Sequence, residues 1–280
     1  MIDQLRLLPA RKPRDIIGRA IAEHNPSKVF VLFSGGKDSR VVLEVMANEC
    51  REFISGVVHI RTGISIPQTL EFCAEQCKTL ALPFIDLKTK ANYWEMIREY
   101  GFPGPGIHNI YYNELKGDVI DAFVQSQKSH RLDRIALVTG VRVDESRRRA
   151  QTSRDVERDG AQVWAAPIID WTSNECARYR DENRLPISEA AELLCMSGDC
   201  ICGAKADGPG EIKPIEAFYP DIAAKLHEPE PELKSAGVVG WQYANGIRGN
   251  SAAYDEKRMK LCAGCLKQQA LWPADSAGAA

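Results

Sequence analysis

Residues 28–50 read "KVFVLFSGGKDSRVVLEVMANEC". The run "KVFVLF" (28–33) has the length and unbroken apolar character of a strand buried on both faces. "RVVLEVMANEC" (40–50) repeats apolar residues at the 3.6-residue period of a helix packed on such a strand. Between them stand Ser34, Gly35, Gly36, Lys37, Asp38 and Ser39. Strand, glycine turn and helix start form the layout of a phosphate site. The first turn of a helix offers N–H groups without intrahelical partners and the positive end of the helix dipole. Gly35 and Gly36 allow close backbone approach and positive φ. Lys37 adds a formal charge, and Ser34 and Ser39 add hydroxyl donors. The spacing differs from the common P-loop, which needs four residues between its glycines and then Gly-Lys before Ser or Thr.

Working outward, "FISGVVHI" (53–60), "PFIDLKT" (83–89) and "RIALVTG" (134–140) read as further strands. Pro67 suits the first turn of a helix through "QTLEFCAEQCKTL". "ANYWEMIREY" and "NELKGDVIDAFVQSQ" read as helices with the breaker-rich loop "GFPGPG" (101–106) between them. "SNECARYRDENR" (173–184) reads as a helix with Ser173 as N-cap. Strands alternating with helices predict an α/β fold with a parallel sheet. After about residue 186 the rhythm fades into loop or tail composition such as "ADGPGEIKP" and "HEPEPE". The expected division is therefore 1–190 as a nucleotide-binding α/β domain and 191–280 as a loop-rich, cysteine-clustered region.

The 280 residues allow a full core, and the net charge of −2 means that the whole molecule does not attract nucleic acid by charge alone. No stretch reads as a membrane span and the start "MIDQLRLLPARKPRD" lacks the apolar core of a secretion signal, so the expected location is the cytoplasm, without membrane contact. Nine cysteines are many for that compartment. There, clustered cysteines point to metal or redox chemistry rather than disulfides. Cys195, Cys200 and Cys202 form one group, and Cys262 and Cys265 a second. Two compact chelating groups suit a four-thiolate site, with five candidates for four places. Thiolates accept zinc or an iron–sulfur cluster. Cys50, Cys73, Cys77 and Cys176 fall in helix-like segments and read as core.

"SGGKDS" (34–39) resembles the PP-loop signature SGGxDS of the ATP pyrophosphatases. "HIRTGISIPQT" (59–69) resembles the second-strand motif DTGxxFPET of the phosphoadenosine-phosphosulfate (PAPS) reductase branch. "TGVRVDESRRR" (139–149) resembles that branch's GxRxxES..R segment, and "APIIDWTSNECARYRDENRLPIS" (166–188) its Trp-, Tyr- and Leu-Pro-containing segment. These stretches follow the family's order over residues 28–190. The chain thus resembles a PAPS reductase-like PP-loop protein with the adenine nucleotide alpha hydrolase fold, similar to DndC/SspD-type DNA phosphorothioation proteins. It departs from the pattern at Arg61, where the family has aspartate, and at Ile66-Pro67-Gln68, where it has Phe-Pro-Glu.

The resemblance implies that ATP binds with its β- and γ-phosphates at Ser34, Gly35, Gly36, Lys37, Asp38 and Ser39. It brings Thr62, Gly63, Gly140, Arg142 and Arg147 to the nucleotide as well. His59 reads either as a satisfied core histidine or as a seat near the adenine. The loop with Tyr111 and Tyr112 reads either as a cover over the nucleotide or as a packed loop. The implied activity is cleavage of ATP to AMP and pyrophosphate, which activates a target for sulfur transfer, with DNA as an expected target. Lys37 and Arg142 would offset developing charge, and Asp38 would orient the loop or help hold Mg2+. The cysteines would hold a 4Fe-4S cluster, or alternatively zinc as a staple. A cysteine desulfurase is the expected sulfur source. Alternatives are a reductase of sulfate assimilation, whose Glu-Cys-Gly-Leu-His segment is missing here, a tRNA or small-molecule sulfurtransferase, and a non-catalytic nucleotide-binding subunit with structural zinc.

Overall fold

The structure, a computed structural model, describes residues 11–104, 107–145, 147–204 and 212–235. Helix α1 (Pro13–His24) precedes β1 (Lys28–Leu32), α2 (Lys37–Glu49), β2 (Ile54–Arg61), α3 (Pro67–Thr79) and β3 (Phe84–Lys88). Then come α4 (Tyr93–Tyr100), α5 (His108–Tyr112), a π-helical stretch (Asn113–Gly117), α6 (Asp118–Gln127) and β4 (Ile135–Val138). Helix α7 (Arg147–Thr152), β5 (Val156–Asp159), β6 (Gln162–Ala165) and α8 (Ser173–Glu182) follow. The last elements are α9 (Glu189–Leu193), α10 (Ile212–Phe218), α11 (Pro220–His227) and α12 (Glu230–Ser235). Among the described residues no helix is long and apolar enough to cross a membrane.

The six strands form one sheet in the order β3-β2-β1-β4-β6-β5. All neighbours are parallel except the edge hairpin β5–β6. The fold is thus α/β and Rossmann-like, as the strand–helix alternation predicts. Strand β1 is central and alternates between two cores, as a pleated strand must. Val29 and Val31 face one, continued by Phe33 just past the strand, together with Val41, Val45 and Met46 of α2. Phe30 and Leu32 face the other, with Ile120, Phe123 and Val124 of α6. Chain order reverses between β1 and β4, with β2 on one side of β1 and β4 on the other. In open parallel sheets the crevice beyond the carboxyl ends of the strands at such a switch point is where ligands bind.

A third core joins Ile64, Ile66, Tyr93, Ile97, Phe102 and Tyr111 to Ala190, Leu194, Ile201, Ile215 and Leu226. Residues on both sides of position 190 contribute to it. After position 190 the described part holds a non-helical stretch at 194–204, which carries Cys195, Cys200 and Cys202, and helices over 212–235. Its prolines read as breakers, yet Pro220 opens α11 and Pro231 lies in the first turn of α12. Proline costs no hydrogen bond in a first turn, where the N–H has no intrahelical partner. Helix α8 is capped by Thr172 and not by Ser173. The Thr172 hydroxyl accepts the Glu175 N–H at 3.2 Å, and the Glu175 carboxylate accepts the Thr172 N–H at 2.7 Å. The capping box outcompetes a lone serine because it satisfies two donors reciprocally.

The end of β4 runs against α2 without room for a side chain. A Cβ on Gly140 would lie 3.1 Å from the Asp38 carbonyl carbon and the Ser39 nitrogen. Both atoms are backbone and cannot swing aside. Gly140→Ala is expected to lower unfolding stability by about 1–3 kcal/mol, the range for overpacking. A urea titration reads this as a lower midpoint with unchanged slope.

Candidate functional site

At the switch point lies a cavity of about 770 Å³, within the range of small-molecule sites. Its floor is the phosphate loop. Ser34, Gly36, Lys37, Asp38 and Ser39 line it, with Gly140 and Arg142 from the segment after β4. Gly35 takes φ +79°, and Gly36 is the N-cap of α2. The Ser39 hydroxyl donates to the Gly36 carbonyl at 2.9 Å, and its oxygen lies 3.1 Å from Ser34 Oγ. The positive end of α2 thus opens into the cavity beside two hydroxyls and the Lys37 side chain.

Arg142 is buried beside this loop. Its Nη2 donates to Asp38 Oδ2 at 2.8 Å, while Nη1 reaches Asp144 Oδ2, Ser173 Oγ and the Trp171 carbonyl at 3.3–3.4 Å. Arg142 therefore ties α2, the turn after β4 and the start of α8 together. Asp38, expected to orient the loop or help hold Mg2+, has its carboxylate engaged by this guanidinium. Burial lowers the Arg142 pKa, and the Asp38 charge and hydrogen bond more than offset it, so the net shift is upward. Burial pushes the neighbouring Glu145 carboxyl up, against the opposing pull of Arg149 and Arg142.

The remaining expected nucleotide contacts fall in different places. His59 is buried and does not line the cavity; its Nδ1 lies 2.9 Å from the Phe33 carbonyl oxygen, which can only accept. It is a satisfied core histidine. Thr62 is buried and donates to the Asp199 carbonyl at 2.9 Å. Gly63 occupies a turn at φ +76° with open space around it. The backbone of Arg147 begins α7, and its side chain lies outside the described part. Tyr111 and Tyr112 pack inward and neither lines this cavity; the Tyr111 hydroxyl donates to the Gly101 carbonyl at 2.5 Å. Arg61, at the family's aspartate position, pairs across the sheet with Asp86 of β3 at 2.7 Å.

The opposite wall comes from residues 191–204. Cys195 is exposed, Cys200 half-buried and Cys202 buried, and all three line the cavity that holds the phosphate loop. Among the described residues no three His, Cys, Asp or Glu side chains are grouped so as to hold a metal ion. Cys262 and Cys265 lie outside the described residues. Thiolates suit zinc or an iron–sulfur centre, and these three cysteines do not enclose one by themselves. The lone cysteines are core. Burial pushes the Cys77 and Cys176 thiols up to about 12 and that of Cys50 up to about 11, which leaves them protonated and inert.

Sequence reasoning assigns no role to Lys116 or Asp199, yet they form a buried ion pair at 2.7 Å on the cavity wall. Ser197 also donates to the Asp199 carboxylate. Eighty-three positions separate the pair, and only the fold brings them together. Burial raises the Asp199 pKa, but the Lys116 charge and the hydrogen bonds from Lys116 and Ser197 outweigh it, so the net shift is downward. A lowered folded pKa contributes stability that is full above the ordinary carboxylate value and lost as pH falls through the folded value. Asp199→Asn removes the carboxylate that faces the buried Lys116 ammonium at 2.7 Å. It is expected to cost about 3–5 kcal/mol at neutral pH. The difference from the wild-type protein in urea unfolding is expected to shrink towards acid pH.

Residues 28–197 match the phosphoadenosine phosphosulfate reductase domain. No curated protein sequence matches the chain. Among solved structures, it is similar to the PAPS reductase of Candida auris in its phosphate complex, at 18% identity over 69% of this chain and 90% of that one, with a TM-score of 0.47. It is also similar to the FMN adenylyltransferase of Candida glabrata in complex with ATP, at 14% identity over 65% of this chain and 57% of that one, with a TM-score of 0.48. A third is the U34-tRNA thiolase NcsA of Methanococcus maripaludis with its 4Fe-4S cluster, at 11% identity over 90% and 88%, with a TM-score of 0.46. The family match spans more than half of the 280 residues, and the chain belongs to the phosphoadenosine phosphosulfate reductase domain family.

Proposed function

We propose that this protein is an ATP pyrophosphatase that activates a target oxygen for replacement by sulfur. One observation carries the reading: the phosphate loop and Cys195, Cys200 and Cys202 line the same cavity. A nucleotide held by its phosphates at α2 would therefore share one enclosure with these thiols. The cavity's cations Lys37, Lys116, Arg142, Arg149 and Arg180 outnumber its carboxylates Asp38, Glu145 and Asp199, which suits a polyanionic ligand.

In this reading a target oxygen attacks the α-phosphorus of ATP and pyrophosphate leaves, so the target is adenylated. A sulfur nucleophile then attacks the activated centre and AMP leaves. Ser34, Gly36 and Ser39 hold the departing pyrophosphate, and Mg2+, when bound, would supply further charge neutralisation. Lys37 offsets the charge that develops on it. Arg142 acts through Asp38, fixing the first turn of α2. A 4Fe-4S cluster held by four of the five clustered cysteines, when bound, would supply a place for sulfur to attach; zinc would supply only a staple. Within this class we favour a DNA phosphate as the target, with a cysteine desulfurase as sulfur source and a cytoplasmic location. The sulfonucleotide reductase reading is second and is favoured by the family itself; it would show as sulfite release from PAPS with a dithiol reductant.

Protein purified without oxygen is expected to convert Mg-ATP to AMP and pyrophosphate once its target is supplied, and Lys37→Ala to slow this about 100-fold. Turnover unaffected by Lys37→Ala, or no AMP under any target and partner mixture, would sink the reading. Metal analysis of the same sample is expected to give about four irons with matching sulfide per chain, as in a cubane cluster. About one zinc instead would reduce the cysteines to a structural role.

A further inference from the structure

Ser188 is the N-cap of α9 and is 2% exposed. Its hydroxyl oxygen accepts the Ala191 N–H at 3.2 Å, and the hydroxyl donates to the Gly35 carbonyl at 3.0 Å. A hydroxyl has one donor and two acceptor positions, so both bonds form together. One side chain thus caps a helix and ties it to the phosphate loop.

The direction of this bond matters. The Gly35–Gly36 peptide is trans, so its C=O and N–H point opposite ways. With the carbonyl held by Ser188, the Gly36 N–H faces the other side, towards Ser34 Oγ at 3.4 Å. Ser34, Gly36 and Ser39 line the cavity, whereas Gly35 does not. Paired glycines have little intrinsic resistance to a peptide flip. A flip would aim carbonyl lone pairs at a bound anion and withdraw the N–H that should meet it.

The segment that carries Ser188 is anchored at several further points. Ile66 N–H donates to the Gly198 carbonyl at 2.8 Å, and Ile201 N–H to the Ile64 carbonyl at 2.9 Å. Thr62 Oγ1 donates to the Asp199 carbonyl at 2.9 Å. Gly198, at φ +75°, has no space for a Cβ, which would meet Thr69 Oγ1 at 2.4 Å. Ser188 is therefore part of a fixed brace, and the same brace carries Cys195 and Cys200.

We propose that Ser188 is a positioning residue of the phosphate loop, presetting the Gly35–Gly36 peptide with its N–H towards bound phosphate. The proposal rests on the nucleotide reading of this loop and assigns the orientation of its central peptide to a residue outside the glycine motif.

Calorimetric binding of pyrophosphate, Mg-ATP and AMP to the full chain and to Ser188→Ala and Ser188→Thr tests it. Ser188→Ala is expected to weaken pyrophosphate and ATP about tenfold, on the scale of one hydrogen bond. AMP, which lacks the phosphates that this loop would hold, is expected to stay within about twofold, a split that a general loss of structure would not produce. Ser188→Thr keeps the hydroxyl and is expected to restore binding. An unchanged pyrophosphate affinity in Ser188→Ala, or an equal loss for all three ligands, overturns the proposal. Should Ser188→Ala not fold, Ser188→Cys, close in size and a weak donor, gives the same comparison: a phosphate-selective loss supports the proposal and its absence overturns it. Absence of pyrophosphate and ATP binding by the wild-type protein overturns the nucleotide reading and the proposal together. Wild-type binding with an unchanged variant overturns the proposal alone.

Discussion

The first turn of α2 is packed between two close approaches, at each of which a glycine leaves little room for a Cβ. On one side Gly140 brings the end of β4 against the backbone of Asp38 and Ser39. On the other, a Cβ on Gly36 would lie 3.1 Å from Ser197 Cβ. These contacts set how close β4 and the cysteine-bearing loop come to the phosphate loop. Interiors pack too densely for such contacts to yield without moving an element. The crevice at the sheet's switch point owes its shape to them, and the cavity that joins nucleotide loop and thiols exists only because both approaches occur at the same helix end.

Charge then consolidates what packing allows. Arg142 links the start of α2 to the turn after β4 and to α8. Lys116 and Asp199 link the π-helical stretch to the cysteine loop. Each pair is largely buried, so removing one member costs far more than the pair contributes when whole. Such pairs specify geometry, and here both specify where the walls of one cavity stand. Lys37 and Arg180 also line that cavity, beyond the cations of these pairs.

Across the cavity, the cysteine loop takes part in holding the phosphate side. Its backbone pairs with residues 62–66, and Ser188 at its start holds the Gly35 carbonyl. Chemistry at the thiols and occupancy of the phosphate loop are therefore properties of one connected piece of structure. Under the proposed function, this shared enclosure would let an activated intermediate be met by sulfur before water reaches it.

Much of the fold was legible in the sequence. The buried runs at 28–33, 53–60 and 134–140 and the helix period at 40–50 dictate a parallel sheet, since such runs have no solvent face. "SGGKDS" names the phosphate loop because few other residues let backbone N–H groups meet an anion. The edge strand β5 escaped notice: with only Val156 apolar in "VERD" it shows no alternation, and it depends on pairing with β6. His59 at a strand end reads either as core or as a seat near the adenine, and only the fold shows its Nδ1 engaged by the Phe33 carbonyl. Lys116, Asp199 and Ser188 carry no local signal, because their partners lie 83 and 153 positions away. What the sequence by itself determined was which groups are available: a helix start with the layout of a phosphate site and a set of clustered cysteines. What only the tertiary structure decided was that the two share one cavity. Hydrogen bonds and ion pairs between residues distant in sequence form when the chain is folded, and no periodicity or spacing records them.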